Sequence, residues 1–358
     1  MVGESGAVIT AVFPTYNAAD AVAGLVDSIR RQDAPATAPP DRWLEVIFID
    51  NASTDDTVDR IEQELAAAEL PFRVRVIRNE ENLGLSRSFN RALEAVGTKY
   101  VLTCHADCLF ASDDYLARLV GLLDGHPDVA VVSGQPIADV SGGLSRVEKV
   151  YLTANLMDVF PEGEGDLEPV GFAEGRCDGF RMEPLRAVGF YDTTLQRAGE
   201  DQIMSARLRA LGFRVCRAPQ LRYYLSVSSD QDSLFKLVRH ANLFGRVTPY
   251  VLFANRGTLR GIAGSVAGRN RNRRTALRGL QLAGAGSMLW LAGALLARRS
   301  PGPACVGLLV TSLAKGALFR RYVRDLGFDG TDIAALAALQ PALDVAYAAG
   351  FVMGLRRL

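Results

Sequence analysis

The sequence predicts an α/β fold, a mostly parallel sheet flanked by helices, followed by a C-terminal helical, membrane-associated region. Two observations carry this. Over the first ~130 residues, short apolar runs alternate with helical patterns, the signature of a parallel sheet covered by helices. Beyond Gly245 the chain changes to long apolar stretches separated by arginines.

The elements follow in order. Residues 7–13 are almost wholly apolar, as a strand buried on both faces must be. Helical spacing runs over 18–32, and Pro35, Pro39 and Pro40 make a loop before a second strand at 44–50. Ser53 or Thr54 can cap the next helix, and Asp55 and Asp56 in its first turn suit the helix dipole. Strand 72–77, helix 85–96, strand 100–104, helix 113–123 and strand 129–133 complete the front half. Residues 134–174 weaken into a Gly- and acid-rich loop with one short helix. Order returns at 177–185, then a helix at 199–211 and a strand at 214–217. These elements define a first domain, 1–232.

The remainder divides into basic amphipathic, interfacial helices over 233–278 and membrane-associated helical segments over 279–358. Residues 279–297 are apolar for the length a bilayer requires, and 301–319 are similar but contain Lys315. A third candidate, 333–355, includes Gln340, Pro341 and Asp344. Residues 247–268 mix apolar residues with Arg256 and Arg260, as an interfacial helix would. Arginines flank all the segments, so the positive-inside rule gives no consistent path across the bilayer.

Charge supports this division. The formal net charge is zero, yet residues 1–232 hold 22 Lys+Arg against 36 Asp+Glu, and 233–358 hold 18 against 4. No acidic residue stands between Ser233 and Arg324. An acidic front joined to a basic, apolar back fits a cytosolic domain docked on an anionic membrane. A nucleic-acid tail would interleave its arginines with stacking aromatics, and this one alternates them with apolar runs. Five cysteines without a CxxC pair argue for a reducing compartment. The polar start, carrying Glu4, lacks a basic, signal-like leader, which places the front half in the cytoplasm.

Open parallel sheets place functional groups beyond the carboxyl ends of their strands. After the first strand stands Phe13-Pro14-Thr15-Tyr16-Asn17, and after the second Ile49-Asp50-Asn51-Ala52-Ser53-Thr54-Asp55-Asp56. A carboxylate at a strand tip, Asp50, can accept a hydrogen bond from a nucleobase N–H. Either motif alone reads more readily as a turn or a helix cap; together, at adjacent strand ends, they favour nucleotide binding. Three further segments are Asn82-Leu83-Gly84-Leu85-Ser86 with Asn90, His105-Ala106-Asp107, and Gly199-Glu200-Asp201 followed by Arg207-Leu208.

With these five motifs in order, the chain resembles the inverting family 2 glycosyltransferases of the GT-A (Rossmann-like) fold. Phe180-Arg181, Gly189-Phe190-Tyr191-Asp192 and Gly245-Arg246 are similar to succinoglycan-type glucosyltransferases, which carry C-terminal membrane segments. The resemblance implies roles. Pro14, Thr15, Tyr16, Asn17, Asp50 and Asn82 would bind the nucleotide sugar. Asp107 matches the last carboxylate of the family's Asp-x-Asp, which holds Mg²⁺ or Mn²⁺. His105 departs from the usual first Asp and would touch ribose or join the metal, suiting Mn²⁺ better than Mg²⁺. Asp201 matches the base that takes the acceptor proton, with Glu200 orienting the site. Asp178 would line the acceptor pocket from a loop before a helix, and Arg246 would help hold the diphosphate.

A zinc cluster of Cys104, His105, Asp107 and Cys108 is disfavoured, since successive strand residues point to opposite faces. A nucleotidyltransferase would need a Gly-rich phosphate loop where Phe13–Asn17 stands. The expected activity is transfer from a nucleotide diphosphate sugar, a UDP-sugar by expectation, to a lipid-linked saccharide or polysaccharide at the cytoplasmic membrane face. The expected cofactor is a divalent cation, and no nucleic acid takes part. A polyprenyl-phosphate sugar synthase and a non-catalytic nucleotide-sugar scaffold are the alternatives.

Overall fold

The computed structural model describes residues 7–39, 42–68, 70–138, 143–157, 159–160, 167–195, 198–225, 233–254, 269–356 and 358. They form two compact units.

The first unit is a sheet covered by helices. Its elements begin β1 (Ile9–Thr15), α1 (Ala19–Arg30), β2 (Leu44–Asp50), α2 (Thr57–Ala67), β3 (Arg73–Arg78), α3 (Leu85–Glu94) and β4 (Tyr100–Cys104). There follow β5 (Cys108–Phe110), α4 (Tyr115–Gly125) and β6 (Val129–Ala138); α5 (Arg146–Ala154) belongs to the second unit. The first unit resumes with β7 (Glu168–Pro169), β8 (Cys177–Arg181), α6 (Met182–Ala187), α7 (Glu200–Ala210) and β9 (Arg214–Leu225). Strand order is β3-β2-β1-β4-β8-β6-β9-β5, with β7 on β9.

The run β3-β2-β1-β4 is parallel, and β8 enters antiparallel to β4 and β6, which makes the whole sheet mixed. The polarity matters for the site. The carboxyl ends of β1, β2 and β4 and the amino end of β8 lie along one sheet edge. Central strands are buried on both faces, which is why their sequences are continuously apolar. Val12, Ile47, Ile49, Val101 and Val131 pack against Phe89 and Leu93 of α3, Leu185 of α6 and Met204 and Leu208 of α7. Each such side chain removed from water contributes roughly 1.5–3 kcal/mol.

Two expectations change here. Neither Ser53 nor Thr54 caps α2: Asp55 accepts the Thr57 N–H at 3.1 Å, and Ser53 turns toward Asp50. Asp178, expected in a loop, lies in β8 opposite Thr103 and Ser133. Strand β9 runs well past 217, with a register irregularity against β6 between Ser133 and Gln135 that lets the strand continue past Pro219.

The second unit is helical: α5, α8 (Leu234–Pro249), a π-helical turn (Tyr250–Ala254), α9 (Arg269–Leu296), α10 (Gly302–Asp325) and α11 (Gly330–Leu355). Within it, α5 joins α11 through Lys149 and Arg146, whose cations reach Asp332 at 2.8 and 3.2 Å. A first domain drawn as 1–232 would have included α5. The interfacial helix expected over 247–268 lies mostly outside the described residues. Three helices are long and apolar enough to cross a membrane: Ala276–Leu296, Gly302–Asp325 and Gly330–Leu355. Helices α8 and α11 approach closely at Gly245, Gly350 and Gly354, where a Cβ on each would collide with the facing backbone.

Candidate active site

At the tips of β1 and β2, Thr15 pairs with Asp50. Asp50 is 3% exposed, and its carboxylate accepts the Ser53 N–H at 3.1 Å, the Ser53 hydroxyl at 2.5 Å and the Thr15 hydroxyl at 3.4 Å. These three donors hold the carboxylate at the edge of the sheet. The two loops are laced together by Asn17, whose N–H donates to Ser53 Oγ at 3.0 Å while its Oδ1 accepts the Thr54 N–H at 2.8 Å. Asn17 (φ 48°) and Ala52 (φ 60°) adopt left-handed backbone, strain that persists only where the surroundings enforce it. Pro14 and Thr15 are the last two residues of β1, and Tyr16 presents a half-exposed ring. Asn82 joins this group through Asn51, whose Nδ2 donates to Asn82 Oδ1 at 2.8 Å. The same oxygen accepts the Gly84 N–H at 3.0 Å and so shapes the turn that starts α3.

At the tip of β4, His105 and Asp107 are neighbours, with Nδ1 4.0 Å from Oδ1. Burial holds the His105 imidazole down at about 4, against the pull of Asp107, so the ring is neutral near pH 7. Among the described residues, His105 Nε2 is a buried nitrogen without a hydrogen-bond partner. The Arg176 guanidinium stands 3.8 Å from the other Asp107 oxygen. One carboxylate and an imidazole nitrogen without a hydrogen bond among the described residues are donors suited to a divalent cation. No group of three or more His, Cys, Asp or Glu side chains able to hold a metal occurs among the described residues. That excludes a self-sufficient zinc cluster there; Cys104, Cys108 and Cys177 are buried free thiols.

The segment 174–178 joins this tip to a group of buried carboxylates. The backbone N–H of His105 donates to Arg176 O at 2.8 Å. The Gly175 N–H donates to Asp178 Oδ2 at 2.8 Å, and Ser133 Oγ donates to Asp178 Oδ1 at 2.5 Å. Burial pushes the Asp178 carboxyl up to about 7, against those two hydrogen bonds. Gly175 has φ +74°, and a Cβ there would lie 3.2 Å from Asp201 Cβ and 3.5 Å from Asp201 Oδ2. Glycine is therefore required twice, for its left-handed backbone and for the close approach.

Asp201 sits in the first turn of α7, started by Gly199 in the left-handed region (φ 87°), and its Oδ1 accepts the Gln202 N–H at 2.8 Å. Burial first, and the Glu200 charge second, raise the Asp201 carboxyl well above the usual range. Burial also raises Glu200, whose Oε2 has no partner among the described residues. Arg217 pairs with Glu174 at 2.8 Å and brings positive charge to this cluster.

Thus Asp50, Thr15, Asn17 and Asn82 share one end of the sheet edge, and His105, Asp107, Asp178 and Asp201 gather around residues 175–176, with Glu200 beside Asp201 in the chain. Arg246 belongs to the second unit, where its Nε donates to Asn242 Oδ1 at 2.8 Å. Sequence reasoning missed Glu174, Gly175, Arg176, Arg217 and Ser133. The available signal was adjacency, because Glu174-Gly175-Arg176 directly precedes Cys177-Asp178.

A Bacillus subtilis (strain 168) protein described as a teichuronic acid biosynthesis glycosyltransferase, TuaG, is 32% identical over 116 residues. The match spans 32% of this chain and 42% of the length of that relative. The solved structure of the mannosyltransferase PcManGT from Pyrobaculum calidifontis, in complex with GDP-Man and Mn²⁺, superposes with a TM-score of 0.58 at 20% identity. The match covers 96% of this chain and 86% of that chain, a likeness of fold to a GT-A-type mixed sheet flanked by helices. The family model for Glycosyl transferase family 2 matches residues 10–189, from β1 to the loop after α6. With the strand-tip motifs gathered at one sheet edge, that match makes this chain a member of Glycosyl transferase family 2.

Proposed function

We propose that the protein is an inverting, divalent-cation-dependent glycosyltransferase. It would move a sugar from a nucleotide diphosphate donor, a UDP-sugar in our reading, to a hydroxyl of a lipid-linked saccharide or polysaccharide. The observation that carries this reading is the gathering of Asp201 and Asp178 against Gly175, whose neighbour Arg176 faces Asp107 at the β4 tip.

Asp50 and the Thr15–Asn17 backbone bind the nucleoside, with the Tyr16 ring available to stack on the base. Asp107 and His105 would hold the cation, which would supply positive charge to the diphosphate leaving group. Asp201 takes the proton from the acceptor hydroxyl while its oxygen attacks the anomeric carbon from the face opposite the diphosphate. The glycosidic bond forms as the bond to phosphate breaks, in one displacement. The raised Asp201 carboxyl keeps proton affinity high enough for that role, and general-base assistance contributes roughly 10²–10⁴ in rate. A polyprenyl-phosphate acceptor is already ionised and has no need of a base, so the buried Asp201 favours a hydroxyl. A scaffold that merely bound the donor would have no use for it either.

Three membrane-length helices and the acid-free run from Ser233 to Arg324 support work at the cytoplasmic face of a membrane. So does the likeness of Gly245-Arg246 and its companion motifs to succinoglycan-type enzymes. The test is thermal stabilisation of the full chain in detergent by UDP-, GDP- and dTDP-sugars, with and without Mn²⁺. One nucleotide class should stabilise, and Asp107→Ala should lose the Mn²⁺-dependent part. Absence of stabilisation by all three classes would reject the reading.

A further inference from the structure

We propose that Arg176 is a diphosphate-binding residue and that the site takes up its divalent cation only together with the nucleotide. This rests on the function proposed above.

The argument is one of charge and geometry at the β4 tip. Hard divalent cations are held by anionic oxygens. Here Asp107 offers one carboxylate, and among the described residues no third His, Cys, Asp or Glu side chain joins it and His105 around a common point. Where a second carboxylate would double the negative charge, His105 supplies an imidazole. Against the one remaining charge stands the Arg176 guanidinium, 3.8 Å from Asp107 Oδ2. At this tip a bare cation therefore meets a single carboxylate, and that carboxylate already faces a guanidinium.

Both Asp107 (18%) and Arg176 (15%) have side chains mostly withdrawn from water, so the pair interacts more strongly than a surface pair would. Arg176 is also fixed in place. Its carbonyl accepts the His105 N–H at 2.8 Å, and the preceding Gly175 is pinned by its hydrogen bond to Asp178 and its packing on Asp201. A diphosphate changes the balance. Its charges compete with Asp107 for the guanidinium through charge-assisted hydrogen bonds and leave Asp107 available to the cation that accompanies them. Arginine thus gives the nucleotide a foothold without metal, and the metal follows the phosphate.

Isothermal titration calorimetry on the full chain in detergent micelles separates the steps, using MnCl₂, UDP, GDP and dTDP alone and in combination. The wild type should bind one nucleoside diphosphate measurably without Mn²⁺, bind it more tightly with Mn²⁺, and give little heat with MnCl₂ alone. Arg176→Gln should weaken metal-free nucleotide binding about tenfold or more, the scale of one charge-assisted hydrogen bond, and should strengthen binding of MnCl₂ alone. Arg176→Lys keeps the charge and should recover part of the nucleotide affinity, which separates charge from misfolding. Tight binding of MnCl₂ alone by the wild type, or unchanged metal-free nucleotide affinity in Arg176→Gln, overturns the inference and leaves the proposed function standing. No nucleotide binding under any condition overturns both.

Discussion

Glu200 and Asp201 stand side by side in the first turn of α7, and burial raises both carboxyls. The Glu200 charge is the second cause acting on Asp201, which gives a signed prediction. A base must be ionised to work, so kcat/KM should rise with pH along a limb set by the raised Asp201. Glu200→Gln removes the neighbouring negative charge, makes ionisation of Asp201 easier and should move that limb to lower pH. A pH–rate profile whose limb stays in place would contradict the coupling. At this scale the sequence was legible where a carboxylate ends a strand or opens a helix, as Asp50 and Asp201 do, because such positions point beyond a sheet edge. Asp178 was legible as a residue but not in its setting: Cys177-Asp178-Gly179 has the composition of a turn, and only pairing with Thr103 and Ser133 makes it a strand. Arg176 left no signal, since one arginine in a polar stretch has no period.

Among the elements, β2 and β4 were legible to the residue, since a run apolar on both faces has sharp ends. Strand β5 has three residues and β7 two, too short for any period, and Pro219 inside β9 reads as a strand end. The segment that leads into β8 and packs on the first turn of α7 is the one on which the site depends most. Gly175→Ala would place a methyl group against Asp201 and force a left-handed backbone on alanine, at a cost of roughly 1–2 kcal/mol. We expect a lower melting temperature, together with a fall in transfer rate larger than that stability loss explains. A variant with wild-type melting and turnover would show that the contact is not needed.

At the scale of the whole molecule, the charge asymmetry and the three apolar runs made the helical C-terminal part legible, and three helices of membrane length bear this out. Its internal packing was not legible, because Lys315 and Asp344 look in sequence like flaws in two spans. They form a pair at 2.5 Å, each side chain 5% exposed, next to Gly284 of α9. Removing one partner strands the other charge. Lys315→Met should destabilise the full chain by about 3–5 kcal/mol, and the double change Lys315→Met with Asp344→Leu should recover most of it. Denaturation in detergent micelles measures both; additive losses would show that the two do not act as a pair.

In the proposed mechanism Asp201 accepts the acceptor proton and takes no part in binding the donor. The most direct measurement compares Asp201→Asn with the wild type in full-length protein, reading donor affinity and single-turnover transfer with the same nucleotide sugar. Unchanged donor affinity with transfer slowed about a hundredfold or more is the expected result. Transfer at the wild-type rate would remove Asp201 from the mechanism.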